Sequence, residues 1–431
     1  MFKNVGKRIP KYDNLGAVTG QLKYPIDYSM PGQLIAKVLR CPYPRAKINS
    51  IDTSEAEKVP GVYAVITVKD VPYNRFAMVP DNHVLAEEIT HYRGQAVAAV
   101  AAIDQAAALE AIGKIKVDME ELPFVVDPRE AMKPDAPKVF PESESNMHMF
   151  DGKSEVRRII KGDVEKGFAE ADKIVEGFYT TPSQEHAFIE PTSTLAYIDE
   201  SGKLVLHSKA QGMYFIQNDL CNVFKLPLNK LKFIGGTIGG GFGGLNSVAT
   251  DHIAGLLALK TGKPVKFTLT REEEMTTSTV RTPWMFKFKD GVKMDGTITA
   301  REIEVIHDCG SFTELGLYAV EKNANFIAGA LNVANVSVTS RLVYTNKQPS
   351  GSMRGFGVNV GQYADQVQLN RDAEAIGMDP IEIRLRNAFR EGDHSHTDNE
   401  LVAVSMIETL QNVAEMAGEK LPEELLALKS K

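Results

Sequence analysis

Residues 235–247 read GGTIGGGFGGLNS, seven glycines in the first ten positions with one phenylalanine, Phe242, held among them. Successive glycines permit positive φ angles and let a backbone approach a ligand more closely than any Cβ would allow. A helix is predicted to follow directly from Ser247 through VATDHIAGLLALKTGKP, with Ala249, Ile253, Leu256 and Leu257 on one face and a stop at Gly262 before Pro264. A turn of this kind points unpaired N–H groups at one spot, where an anion or an oxo group is stabilised. Gly239 and Gly244 have the separation of a phosphate-binding P-loop, but Leu245 and Asn246 stand where Lys and Ser/Thr are needed, which argues against an ATPase. Gly239, Gly241 and Gly244 also match the dinucleotide pattern GxGxxG, with a strand before them and VKFTLT and Glu272 after them. Against a nucleotide-dependent dehydrogenase, the unit lies mid-chain, Glu272 is farther from the loop than the usual roughly 20 residues, and Arg271 precedes it. A glycine turn that serves only packing explains a few of these glycines, and explains seven poorly.

A loop like this needs a scaffold, and 431 residues exceed the roughly 250–300 that one hydrophobic core supports, so at least two domains are expected. Hydrophobic content of 43%, charged content of 24% and a net charge of -7 are those of a soluble globular protein and offer nothing for nucleic acid. The longest apolar run, Ala96 to Ile103, is far short of the roughly 18 residues that span a bilayer, and MFKNVGKRIP has no apolar signal region. A cytoplasmic protein without membrane contact is therefore expected. Cys41, Cys221 and Cys309 form no CxxC pair and are expected to be small buried side chains, not ligands of zinc or of an iron–sulfur cluster.

The fold class expected is α/β (α+β). QLIAKVLR (33–40), GVYAVITV (61–68) and QAVAAVAAI (95–103) read as strands punctuated by Pro-Gly turns. Asp104 caps a helical DQAAALEAIGKI, and IKVDMEEL resumes as a strand, a β-α-β unit that closes a first domain over residues 1–126. Residues 127–161, proline-rich and charged without periodicity, read as a surface linker. Residues 162–431 read as a second domain of alternating strands and helices, including KLVLHSK, LKFIGG, VKFTLT, ITAREIEVI and VSVTSRLVY, ending in an amphipathic helix LVAVSMIETLQNVAEMAG. The DHSH cluster at 393–396 has metal-binding composition, yet its polar surroundings predict a solvated loop.

GGGFGG followed by a helix resembles the molybdenum-binding subunit of the xanthine oxidase family of molybdenum hydroxylases. TGQLKYPIDYSMPGQLIAKVLRCPYPRAKINSID, PGVYAVIT, YRGQAVAAVAA and MEELPFVVD resemble that family's N-terminal "hammerhead" domain. GDVEKGFAEADKIVEGFYTTPSQEHAFIEP, SGSMRGFGVNVGQ and GMDPIEIRLRNAF resemble its first molybdenum cofactor-binding domain. The resemblance covers about residues 14–410 and implies this two-domain fold and a molybdenum–molybdopterin cofactor, expected in the cytosine dinucleotide form. It implies that Gln211, Phe242 and Gly243 form the surroundings of the metal's oxo ligand, and that Gly240, Gly241, Phe242, Gly243, Gly244, Met353, Arg354 and Gly355 hold the cofactor. No residue of this chain is expected to ligate the metal directly. Phe356, in the RGFG loop, is placed to stack a flat substrate, a contact worth roughly 0.5–1.5 kcal/mol beyond burial.

Two positions depart from xanthine-oxidising members. Asn246 stands where they carry a glutamate, and Lys322, in AVEKNANF, where they carry a substrate-side arginine; both are substrate-side candidates here. The RGFG loop has no cysteine, unlike the copper-binding loop of the carbon monoxide dehydrogenase branch. His186 and Glu190, in QEHAFIEP, resemble structural residues behind the cofactor. The family's full subunit is longer, and its second half carries further pterin-binding loops and a glutamate that acts as general base. This chain resembles the large molybdopterin subunit of split enzymes such as those of the nicotinate dehydrogenase type. That implies a second, medium molybdopterin subunit carrying the glutamate, with FAD and [2Fe-2S] clusters on further partner chains. The activity implied is hydroxylation of an N-heteroaromatic, nicotinate- or purine-like, beside a ring nitrogen, with water as oxygen source. Aldehyde oxidation is the alternative within the family, and a non-catalytic scaffold the alternative outside it.

Overall fold

The structure, a computed structural model, describes residues 2–427. The chain forms two compact units: residues up to Leu122 with His186–Ser278, and Pro123–Glu185 with the residues from Thr279 on. Compact packing thus divides the chain differently from the sequential domains read off the sequence. The reason lies in strand pairing, since Val265–Thr268, deep in the second half, lies parallel to Leu34–Arg40.

The first unit is built on a seven-stranded sheet in the order Leu231–Ile234, Leu204–Ser208, Ser193–Ile198, Val265–Thr268, Leu34–Arg40, Ala96–Ala102, Val62–Ile66. Ala96–Ala102 is almost wholly buried, as a strand covered on both faces must be. Ala99 and Ala101 face a core shared with Ile253, Leu256 and Leu257 of helix Asp251–Thr261, while Ala98, Val100 and Ala102 face Ala108 and Ala111 of helix Gln105–Lys114. Asp104 caps the latter helix as expected, its carboxylate accepting from the Ala107 N–H at 2.8 Å. The strand after it, Lys116–Glu121, does not close a β-α-β unit. It pairs with Ala46–Asp52 in a separate three-stranded sheet, because its alternating Lys116, Asp118 and Glu120 cannot enter a doubly covered layer.

The second unit holds a five-stranded sheet in the order Arg157–Lys161, Val336–Tyr344, Ile298–Gly310, Trp284–Val292, Lys173–Thr181, and a short pair, Val280–Arg281 with Ser350–Gly351. The stretch read as a linker is largely part of this unit. Arg157–Lys161 is an edge strand, and buried Asn146 accepts from the Val139 N–H while donating to the carbonyls of Ala131 and Pro137. Side-chain-to-backbone bonds of this kind order a segment without any hydrophobic period. Helix Val358–Ile376 lies on the sheet with a polar buried face. Arg301 makes a bidentate pair with Asp290 at 3.0 and 2.7 Å, and its Nη1 donates to Asp365 at 2.5 Å, all three side chains fully buried. Burial and the adjacent Asp290 carboxylate push the pKa of Asp372, 3.8 Å from Arg301, well above the usual carboxylate range.

Cys41 and Cys309 are buried and Cys221 is partly so. The DHSH loop is less solvated than expected: Asp393 and His396 are buried, Asp393 accepting from the Arg390 N–H and His396 Nε2 pairing with the Ala324 carbonyl oxygen. Among the described residues no three His, Cys, Asp or Glu gather in metal-binding geometry, and no helix is long and apolar enough to cross a membrane. The C-terminal helix begins at Met406, later than its sequence pattern predicts.

Candidate cofactor site

In the first unit, strands Leu204–Ser208 and Leu231–Ile234 run parallel and adjacent, so their carboxyl ends open at the same edge of the sheet. One delivers Gln211 and the other delivers the glycine loop. Ligand crevices lie typically at such strand ends. The Gln211 N–H donates to the Leu245 carbonyl at 2.9 Å, and its side-chain Oε1 accepts from the Gly243 N–H at 2.8 Å and from Leu245 at 3.4 Å. The carbonyl half of the amide is thus spent inside the chain, and among the described residues its Nε2 has no protein acceptor. Gln211 is exposed, so that donor faces outward.

The bare backbone is needed here. A Cβ at Gly241 would stand 2.6 Å from Gln211 Oε1 and drive the two apart. Phe242 itself holds a left-handed backbone at φ 51° and leaves its ring 45% exposed, so it does not plug a core. Behind the loop, the buried Glu190 carboxylate accepts from the Gly239 N–H at 2.7 Å and the Ile26 N–H at 3.2 Å, and its carbonyl accepts from the buried Lys209 ammonium. His186 packs its ring against Gly244. Both residues brace the loop from behind. Asn246 turns back onto it, donating from Nδ2 to the Gly243 carbonyl at 3.1 Å.

The helix expected directly after the loop begins only at Asp251, past a short turn at Gly244–Asn246. Its start is filled by its own acid. Asp251 is buried and accepts from Thr194 Oγ1 at 2.9 Å; burial raises its pKa against that hydroxyl bond. Anion binding at this helix start is therefore not what the glycines serve. The dinucleotide pattern fails on topology as well, because Leu231–Ile234 and Val265–Thr268 are separated by two strands and Glu272 lies in helix Arg271–Thr277. A cavity of about 650 Å³ opens beside Gly235–Thr237, lined by His207, Tyr28, Tyr197 and Lys23, and neither Phe242 nor Gln211 reaches it.

Met353, Arg354, Gly355 and Phe356 lie in the second unit, in a loop that leads straight into helix Val358–Ile376. Phe356 has φ 46° between Gly355 at 94° and Gly357 at 88°; it shares the left-handed φ of Phe242, but the glycine before it is left-handed too, which Gly241 is not. Its ring is half-buried and packs against the unit's hydrophobic core. Arg281, which sequence reasoning did not single out, donates to the Arg354 carbonyl at 2.9 Å and to Asn359 Oδ1 at 3.2 Å, and Asn323 Nδ2 donates to the Gly357 carbonyl at 2.8 Å. Lys322, one residue before Asn323, is exposed, with its ammonium 5.6 Å from the Phe326 ring centroid.

Two parallel strand ends that present a bare glycine loop and an outward amide, with a separate Gly-Phe-Gly loop in the second unit, define a cofactor-binding chain. The molybdopterin cofactor-binding domain matches residues 144–388, and the a/b hammerhead domain of aldehyde oxidase and xanthine dehydrogenase matches residues 19–123. The chain belongs to this family of molybdenum-dependent oxidoreductases. The nicotinate dehydrogenase large molybdopterin subunit of Eubacterium barkeri is 34% identical over 421 residues, 97% of each chain. A probable xanthine dehydrogenase subunit of Bacillus subtilis is 35% identical over 383 residues, 88% of this chain and 50% of that protein. The solved aldehyde oxidoreductase of Desulfovibrio gigas superposes with a TM-score of 0.89 at 31% identity, over 94% of this chain and 46% of that one. This chain thus spans about half the length of the latter two and nearly all of the first.

The residues present fit a molybdopterin cofactor. The glycine loop offers neutral backbone and an amide donor to an oxygen-rich group, and the close approach at Gly241 leaves no room for a side chain.

Proposed function

We propose that this chain is the large molybdopterin subunit of a split molybdenum hydroxylase that acts on an N-heteroaromatic substrate, nicotinate- or purine-like, at a carbon beside a ring nitrogen. The observation that carries the proposal is Gln211, locked through Oε1 to the glycine loop with its Nε2 left facing outward. Gln211, Phe242 and Gly243 surround the cofactor's oxygen ligand, with Gly240, Gly241 and Gly244 beside them. Met353, Arg354 and Gly355 contribute backbone, and Phe356, Lys322 and Asn246 face the substrate. When bound, the molybdenum cofactor supplies two-electron oxidation with water as the source of oxygen. This chain's part is to hold and orient: preorganised neutral donors stabilise developing negative charge without reorganising. A general-base glutamate would come from a medium molybdopterin subunit, and electron acceptance from FAD and [2Fe-2S] clusters on further partner chains. The cytosine dinucleotide form of the pterin and a cytoplasmic location complete the reading. Likeness to an aldehyde oxidoreductase supports a second reading, aldehyde oxidation, and Asn246 in place of a glutamate is compatible with either.

The test is to purify the native complex through this chain, identify its subunits, and measure metal and pterin by elemental analysis and mass spectrometry. About one molybdenum per chain, a second molybdopterin subunit and turnover of N-heterocycles in preference to aldehydes are expected. A partnered complex without molybdenum or pterin would overturn the reading.

A further inference from the structure

The cavity beside Gly235–Thr237 lies outside the proposed cofactor machinery, and its lining is chemically one-sided. Lys23 and Tyr28 reach it from the chain ahead of strand Leu34–Arg40, and Tyr197, His207 and Ile234 from the sheet. His207 pairs with Leu195 on one side and Ile234 on the other, and Tyr197 lies two residues along from Leu195, so these residues share a face. The opposite face, with Ala196, Leu204 and Leu206, belongs to the hydrophobic core. His207 is only 9% exposed, and its ring meets Tyr28 edge-on with centroids 4.0 Å apart. Among the described residues that ring has no hydrogen-bond partner, and burial alone holds its pKa below the ordinary value, so it is neutral at pH 7. A neutral imidazole carries one N–H donor and one acceptor, and burying both unsatisfied is costly unless something in the cavity meets them. Charge points the same way. Lys23 brings a cation, no Asp or Glu lines the cavity, and among the described residues Lys23 makes no ion pair.

We infer that this cavity binds a small planar aromatic carboxylate, with its ring against Tyr28, Tyr197 and His207 and its carboxylate on Lys23. A volume of about 650 Å³ suits a small ligand, for which pockets run to roughly 300–1,000 Å³. One lysine is a point charge matched to a monoanion, whereas a phosphate group calls for an arginine fork or more donors. His207 adds a neutral donor and acceptor, and the tyrosines and Ile234 add flat apolar surface. The wall that carries Tyr28 is held in place before any ligand arrives. Lys266 donates to the carbonyls of Ile26 and Tyr28, and the Ile26 N–H is bound by Glu190, the carboxylate that also holds Gly239 of the cofactor loop. A wall fixed in advance lowers the cost of binding. The site stands apart from the proposed reaction, since neither Gln211 nor Phe242 lines it.

The experiment uses the full chain, with benzoate as the anionic probe and benzamide as its neutral counterpart, followed by calorimetry and by NMR of ring-labelled His and Tyr. Benzoate is expected to bind saturably at one site, about 10-fold or more tighter than benzamide, because the amide loses the charge-assisted bond to Lys23. The His207, Tyr28 and Tyr197 ring signals should shift with it, and that of His148, in the second unit, should not. Lys23→Gln, at an exposed position, should erase the preference for benzoate, and Lys23→Arg should keep it. His207→Phe keeps the bulk of the ring and should weaken benzoate about 3-fold or more through the lost hydrogen bond. Absence of saturable binding, equal affinity for the two probes, or an unchanged preference in Lys23→Gln would overturn the assignment. So would benzoate binding to the isolated chain that is lost in the native complex, since it would give the cavity to a partner chain. None of these outcomes touches the molybdenum and pterin content on which the functional reading stands or falls.

Discussion

The two Gly-Phe-Gly loops share a left-handed phenylalanine and differ in what stands behind it. Phe242 and Phe356 both sit in the left-handed region, at φ 51° and 46°, a conformation that for a bulky residue persists only where the surroundings enforce it. Behind Phe242 the enforcement is local: Gln211 and Glu190 hold the backbone, the following helix starts several residues later, and the ring stays exposed. Behind Phe356 it is structural. The loop runs directly into helix Val358–Ile376, which is tied through Asp365 to buried Arg301, and the ring is packed. A left-handed phenylalanine thus serves two designs: a loop held by hydrogen bonds with its ring exposed, and a loop held by a core against which its ring lies half-buried.

The strongest way to break that comparison is Arg301→Met. It leaves Asp290 and Asp365 buried without their cation and should cost the second unit about 3–5 kcal/mol. Hydrogen exchange read unit by unit checks it: amides of helix Val358–Ile376 should lose protection while those of helix Asp251–Thr261 keep theirs. Equal loss in both helices would show that the buried charges do not act on the second unit alone.

A glycine pair gives a smaller contrast. Gly357 has φ 88°, and a Cβ there would lie 2.9 Å from the Ala319 carbonyl and 3.1 Å from Trp284, so Gly357→Ala should destabilise by about 1–3 kcal/mol. Gly236, in the first loop's approach, has open space around it, and Gly236→Ala should be nearly neutral. Urea unfolding of both variants measures the difference, and equal costs would mean the second loop is no more confined than the first.

The smallest effect concerns pH. Burial pushes Asp219, on helix Met213–Phe224, up to about 6, against a backbone hydrogen bond from Ala77. Its folded pKa lies above its unfolded one, so the folded state binds more protons between roughly pH 4 and 6 and stability falls as pH rises through that window. Below it the penalty is absent, and above it the penalty is complete. Asp219→Asn should flatten this part of the profile for the first unit, and an unchanged slope would assign it to other groups.

Much of this was legible in the sequence, for reasons visible in particular residues. QLIAKVLR, QAVAAVAAI, KLVLHSK, LKFIGG and VSVTSRLVY announce themselves because their apolar residues face cores, and all of them are strands. Helix Val358–Ile376 shows no such pattern, since its buried face carries Asp365, Gln368 and Asp372, polar groups tied down by Arg301 and by the bond from Gln368 to Asp372. Gln211 and the glycine loop were reached through motif resemblance. Arg281 was not, because its role comes from reaching Arg354 across sequence distance, and no local spacing carries that signal. The stretch 127–161 is hard to read for a related reason: Asn146 ties it together by hydrogen bonds, and its buried Ala131, Val139 and Phe150 follow no period.

The pairing of Leu34 with Val265 has a consequence for how the chain is made. As the polypeptide leaves the ribosome, Leu34–Arg40 can pair with Ala96–Ala102 early, but its other edge stays open until Val265–Thr268 has been synthesised. Contacts so distant in sequence form slowly, and an open strand edge invites other chains in the meantime. The nascent first unit is therefore exposed to misassociation while the residues between it and its closing strand are still being translated. A fragment cut at the apparent end of the first domain would keep that edge open permanently.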